Sequence, residues 1–90
     1  MPEKRYRRAV ELMEAELGDE LVALDTARGE CFGFNGPAAA VWADLAEPRT
    51  FDQLRDTLME RFDVDTATCA RDLAELLADL QGRGLVQEGT

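Results

Sequence analysis

Apolar and polar positions alternate through two short segments in the first half of the chain and then change to a helical rhythm. In Glu20–Asp25 (ELVALD), Leu21 and Ala23 share one face and Val22 and Leu24 the other, which predicts a strand apolar on both sides and therefore central in its sheet. Thr26-Ala27-Arg28-Gly29 follows as a turn, with Gly29 free to take a positive φ. Glu30 to Asn35, with Cys31-Phe32-Gly33-Phe34 at its centre, reads as the next strand. It stops at Asn35-Gly36-Pro37, where Asn can cap a helix and Pro in a first turn forfeits no useful donor. Upstream, Arg8 to Leu17 is ambiguous. Ala9, Glu11, Leu12, Met13, Glu14 and Ala15 are good helix formers and the composition leans that way, yet Val10 and Leu12 alternate with polar neighbours as a strand would. If the segment pairs, the three form an antiparallel meander.

Beyond Asn35 the spacing is helical. Ala38, Ala39, Val41, Trp42 and Leu45 give a first helix its apolar face, with Pro48 expected to close it and Trp42 expected as a core anchor. Thr50-Phe51-Asp52-Gln53 has the form of a capping box, and Leu54, Leu58, Met59 and Phe62 follow at helical intervals. Asp63 or Asp65 starts a third helix with an apolar stripe of Cys69, Leu73, Leu76, Leu77 and Leu80 and with Gly82 placed to end it. Leu85 and Val86 then return to the core. The last strand leaves an edge beside an apolar helix, a combination able to accept an extended peptide as an additional strand.

Ninety residues, 46% hydrophobic and 32% charged, suit a single globular domain over 1–90, with 1–7 as a flexible basic end. A deep active-site cavity is not expected at this size. The longest apolar stretch, Pro37 to Ala43, is far too short to span a bilayer, so the expected location is the cytoplasm, without membrane contact. Cys31 and Cys69 lack CxxC spacing and there is no histidine, so no metal site is expected and both thiols are read as reduced and buried. With no phosphate loop and no Ser or Cys beside a base, no catalytic residue and no cofactor are assigned. Asp44 with Glu47, and Asp52 with Asp56, share helix faces, but such spacing is routine on solvated helices.

Charge sharpens the choice of partner. Lys4, Arg5, Arg7 and Arg8 face only Glu3 in the first eight residues, while the rest of the chain holds six Arg against 18 acids. Such a body repels nucleic acid and attracts basic peptides or proteins, besides keeping the chain soluble.

The succession GDELVALD, a turn, CFGFN, a small-residue helix ending in Trp, a TFDQL helix and an acidic Leu-rich helix closing in GLV resembles the PqqD-like family of peptide chaperones, also called RiPP recognition elements. The likeness runs from Val10 to Val86 and is carried by Leu24-Asp25, Phe34-Asn35, Ala40, Trp42, Leu54, Asp72-Leu73, Leu80 and Gly84-Leu85-Val86. It implies an α+β, winged helix-turn-helix-like fold, a three-stranded antiparallel sheet followed by three helices, and makes the ambiguous Arg8 to Leu17 segment a strand. It also implies non-catalytic binding of a precursor peptide's leader by strand addition, and delivery of that peptide to a processing or modifying enzyme. Carried over by position, the strand wall is Glu30, Cys31, Phe32, Gly33 and Phe34, and the helix wall is Cys69, Asp72, Leu73, Leu76 and Leu80. Phe34 is weighted towards the core and Leu73, Leu77 and Leu80 inward, with Cys69, Asp72 and Leu76 on the ligand flank and Asp72 facing a basic leader residue or solvent. Gly33 admits a close backbone or a bulge.

Likeness of the LVALD and GFNGPAAAVW segments points first to a lasso-peptide system with a separate cysteine leader protease. A PqqD-type chaperone for a radical SAM enzyme, or another tailoring enzyme, is the second reading. A winged-helix DNA-binding regulator is the alternative from another class, but its reading helix, Thr66 to Gln81, would carry Arg71 against Asp72, Glu75 and Asp79. The free strand edge permits a monomer or a weak homodimer.

Overall fold

Arg5–Arg8 forms a strand, β1, rather than part of a flexible end, in the computed structural model, which describes residues 3–18 and 20–89. Its partners are distant in sequence: it lies antiparallel to Arg49–Thr50 on one side and to Val86–Gly89 on the other. The basic run, with no apolar alternation of its own, is ordered by the backbone ladder of the chain's last strand. The ambiguous segment resolves as a strand over Met13–Leu17 (β2), which pairs with Glu20–Asp25 (β3), itself paired with Glu30–Asn35 (β4). Helix propensity in β2 yields to the turn: Gly18 takes φ 64°, and Leu17 lies opposite Glu20 across a two-residue connection. β3 is central, as its two-sided apolar pattern predicts.

The meander packs on three helices, α1 (Gly36–Asp44), α2 (Phe51–Arg61) and α3 (Thr66–Gly82). The fold is thus α+β with the expected antiparallel meander and three helices, augmented by a second small sheet in which β1 lies between β5 (Arg49–Thr50) and β6 (Val86–Gly89). The Asn35 side chain expected to cap α1 lies outside the described ones. α1 ends at Asp44 rather than at Pro48, its last turn tightening as the Leu45 amide donates to Val41 and the Ala46 amide to Ala43. The Asp44 carboxylate then accepts the Thr57 hydroxyl at 3.0 Å and meets the Arg49 guanidinium at 3.3 Å, anchoring α2 and β5 to the helix end.

The capping box forms as predicted: the Gln53 amide donates to Thr50 Oγ1, and the Thr50 amide to Gln53 Oε1. Asp65, of the two candidates, caps α3 and accepts the Thr68 amide at 2.7 Å. At the other end Gly84, not Gly82, supplies the left-handed residue, with φ 76°. Its amide donates to Gln81 and the Leu85 amide donates to Leu80, a Schellman closure that turns Leu85 and Val86 into the core.

That core gathers Leu21, Ala23, Phe32 and Phe34 from the sheet, Trp42 and Leu45 from α1 and the segment after it, Leu54 and Leu58 from α2, and Leu73, Leu77 and Leu80 from α3. Phe34 stacks between Phe32 and Trp42, at centroid distances of 6.5 and 5.5 Å. Trp42 also joins the two sheets. The Arg8 guanidinium of β1 lies 4.5 Å from the Trp42 ring and donates to its carbonyl, while the Glu14 carboxylate of β2 accepts the indole N–H and pairs with Arg8 at 3.3 Å.

Candidate functional site

β4 is an edge strand of the meander, and among the described residues its outer side has no strand partner. Alternate residues of such an edge direct both backbone N–H and C=O away from the sheet. The hairpin presenting this edge is pinned by buried Asp25, whose carboxylate accepts the Ala27 and Arg28 amides at 3.1 and 3.2 Å. Gly29 closes the turn at φ 71°, its amide donating to the Asp25 carbonyl. Arg28 reaches the carbonyl of Arg83 and sits 3.7 Å from Glu30, tying the hairpin tip to the end of α3.

Between β4 and α3 runs a groove. A cavity of about 220 Å³ is bounded by Cys31, Phe32, Gly33 and Phe34 on the strand side and by Leu76, Asp79, Leu80 and Arg83 on the helix side. Ala38 and Leu76 are shared with a second cavity of about 330 Å³, so the groove continues past α1 to the foot of α2. There Cys69, Asp72 and Leu73 of α3 face Pro37, Leu58, Phe62 and Val64. The strand end is mixed in polarity and the far end mainly apolar. Leu76, half-buried at the junction of the two, is the central apolar group of the helix wall.

Nine of the ten sequence-predicted positions line this groove; Glu30 lines neither cavity and pairs with Arg28 at the hairpin tip. Phe32 and Phe34 turn their rings into the core, leaving their backbone to the groove, and Leu73 and Leu80 are fully buried behind its wall. Cys69, expected on the ligand flank, is instead buried, its Sγ 3.8 Å from the Arg55 carbonyl, and burial pushes its thiol pKa up. Asp72 is exposed and lies 3.6 Å from Arg71. The ladder is regular through the Val22–Gly33 pair, so Gly33 is no bulge. What crosses its bare Cα is the Glu20 carboxylate: a Cβ at Gly33 would lie 2.7 Å from Glu20 Oε1.

Of two expectations about side chains elsewhere, the burial of Cys31 is overturned and the solvated-face reading of the carboxylate pairs stands. Cys31 is exposed at the groove rim rather than buried, because β4 alternates with Phe32 and Phe34 inward. The carboxylate pairs on helix faces are neutralised locally: Arg55 meets Asp52 and Asp56, and Arg49 meets Asp44 and Glu47. Sequence reasoning missed Asp79 and Arg83, although they stand three and seven residues beyond Leu76 on one helical flank. Pro37, Leu58, Phe62 and Val64 had no such local signal, since only the packing of α1 and α2 against α3 brings them there. Among the described residues no cluster of three metal-ligating side chains occurs, and no helix is long and apolar enough to cross a membrane.

The segment that builds this groove is also the segment that carries a family signature: residues 20–86 match the model for coenzyme PQQ synthesis protein D (PqqD). The chain belongs to the PqqD family. The PqqD match takes in β3, β4, all three helices and the start of β6, leaving β1 and β2 outside it. Among solved structures, TbiB1 in complex with the TbiA(beta) leader peptide is similar, at 26% identity and a TM-score of 0.78 over 90% of this PqqD-family chain and 94% of that one. No curated protein matches it significantly.

Proposed function

We propose that this PqqD-family protein is a non-catalytic RiPP recognition element that binds the leader of a ribosomally synthesised precursor peptide as an added strand on β4. The observation that carries the reading is the β4 edge, without a strand partner among the described residues, opening onto a groove walled by α3. Support comes from TbiB1, similar over nearly the whole chain, whose structure holds a leader peptide. Backbone groups of Glu30, Cys31, Phe32, Gly33 and Phe34 supply the ladder, and side chains at Asp72 and Leu76 select among leaders, with Cys69, Leu73 and Leu80 backing the wall. The bound peptide is then handed to a processing enzyme in the cytoplasm. We assign that enzyme first to a lasso-peptide leader protease, on the likeness of the LVALD and GFNGPAAAVW segments, and second to a radical SAM or other tailoring enzyme.

Hydrogen exchange with and without a synthetic leader of a candidate precursor peptide tests the reading. Protection should appear at alternate β4 amides and along the helix wall. Protection confined to other elements, or none at saturating peptide, would refute it. A parallel titration with mixed-sequence DNA at low salt tests the regulator alternative, against which the exposed acids Asp72, Glu75 and Asp79 of α3 argue.

A further inference from the structure

In β3 the side chains of Leu21, Ala23 and Asp25 are buried, so Glu20, Val22 and Leu24 lie on the opposite, outer face of the sheet. Ladder register puts Met13, Ala15 and Leu17 of β2 and Cys31 and Gly33 of β4 on that same face, and Glu20 is the one Asp, Glu, Lys or Arg among them. Its carboxylate does not stay over its own strand. Glu20 Oε1 lies 2.7 Å from the point that a Cβ of Gly33 would occupy, and apart from the adjoining chain no other residue comes within 4 Å of that point. The carboxylate has therefore crossed to the edge strand, and among the described residues no Lys or Arg pairs with it there.

Residues directly opposite in a ladder share a face, with Cβ atoms about 4.5–5.5 Å apart. A strand added to β4 thus sets its residue paired with Gly33 on the outer face, about that far from the spot the Glu20 carboxylate already holds and within the length of a Lys or Arg side chain. The bare Cα of Gly33 is what lets the two meet. Cys31, two positions along β4 on the same face, offers no charge, so the selection falls on a single position of the incoming strand. We propose that Glu20 is a specificity-determining residue of the leader site, accepting a Lys or Arg from the leader residue that pairs with Gly33 and rejecting Asp or Glu there. The assignment rests on strand addition at β4 as the mode of leader binding, and adds to it the chemistry of one leader residue.

The test titrates the full chain with a synthetic leader of a candidate precursor peptide and with two scans of it, in which each residue in turn is Lys or Glu, while hydrogen exchange reports protection of β4. The acidic chain sets a background preference for Lys at every position. Above that background, one position should favour Lys over Glu by about fivefold at low salt. Its excess should vanish with Glu20→Gln, invert with Glu20→Lys and fade at about 0.5 M salt. Circular dichroism should not change, because Glu20 is exposed. If a leader protects β4 but no position shows an excess that depends on Glu20, the assignment falls and strand addition stands. If no leader in the scans protects β4, strand addition fails and takes the assignment with it.

Discussion

Leu76→Asp is the substitution that separates groove from core. Full burial of a Leu side chain contributes about 1.5–3 kcal/mol, and Leu76 is half-buried in the free protein, so about 1 kcal/mol is left for a docked peptide to gain. A carboxylate set against an apolar ligand side chain loses water without gaining a partner, which costs about 1–2 kcal/mol more. The sum, about 2–3 kcal/mol, corresponds to a 30- to 150-fold loss of affinity, roughly. Leu76→Ala, which removes only the apolar contact, should lose about fivefold. Folding should suffer much less, since the new charge reaches water on the helix flank and meets only like charge at Asp72 and Asp79, worth about 0.2–0.5 kcal/mol per pair. Calorimetry with the synthetic leader, beside thermal melts of each variant, reads both quantities. A folded Leu76→Asp protein that binds within about twofold of the parent would refute the groove as the binding site.

Three further outcomes are expected. Gly33→Ala should keep both fold and leader binding, since the Glu20 carboxylate that a Cβ would meet can swing aside, whereas Gly33→Pro, which removes a strand amide, should abolish binding in the same calorimetric assay. In a thiol-reagent time course on the native protein, Cys31 should react fast and Cys69 only on unfolding, because Cys69 is buried with a raised pKa. The Thr68 amide holds the Asp65 carboxyl below its usual pKa, so its stabilisation is present above about pH 4 and lost as pH falls through the lowered folded value; acid titrations of the parent and Asp65→Ala should converge in that range.

What could be read from the chain, and what could not, divides by the range of the interactions. The Thr50–Gln53 box, the Gly29 turn and the two-sided β3 are each encoded within a few residues, and each forms as its local chemistry predicts. The pairing of Arg5–Arg8 with Val86–Gly89 leaves no trace in either segment, because a ladder between chain ends needs backbone groups and not a side-chain pattern. Helical periodicity places Cys69 on the ligand flank, but α2 covers that flank and only its packing shows the thiol to be buried. The groove itself was legible in its β4 and α3 walls and illegible at the apolar end, where α1 and α2 contribute side chains whose convergence is wholly tertiary. The ambiguity of Met13–Leu17 has a similar origin: good helix formers become an edge strand once β3 offers a ladder one tight turn away.

The adjacency of Arg5 and Gly89 in the β1–β6 ladder has an engineering consequence. Entry to and exit from the domain lie about 5 Å apart, so a host loop can admit the whole unit between two neighbouring residues with little spreading of its own ends. The same geometry favours a circular permutant: a short Gly/Ser bridge between the present ends, with new ends opened at the exposed Thr26–Gly29 hairpin, would leave both ladders of β1 intact. New ends at that tip would also sit beside the open β4 edge, where a peptide fused to Glu30 could be presented to the groove in cis.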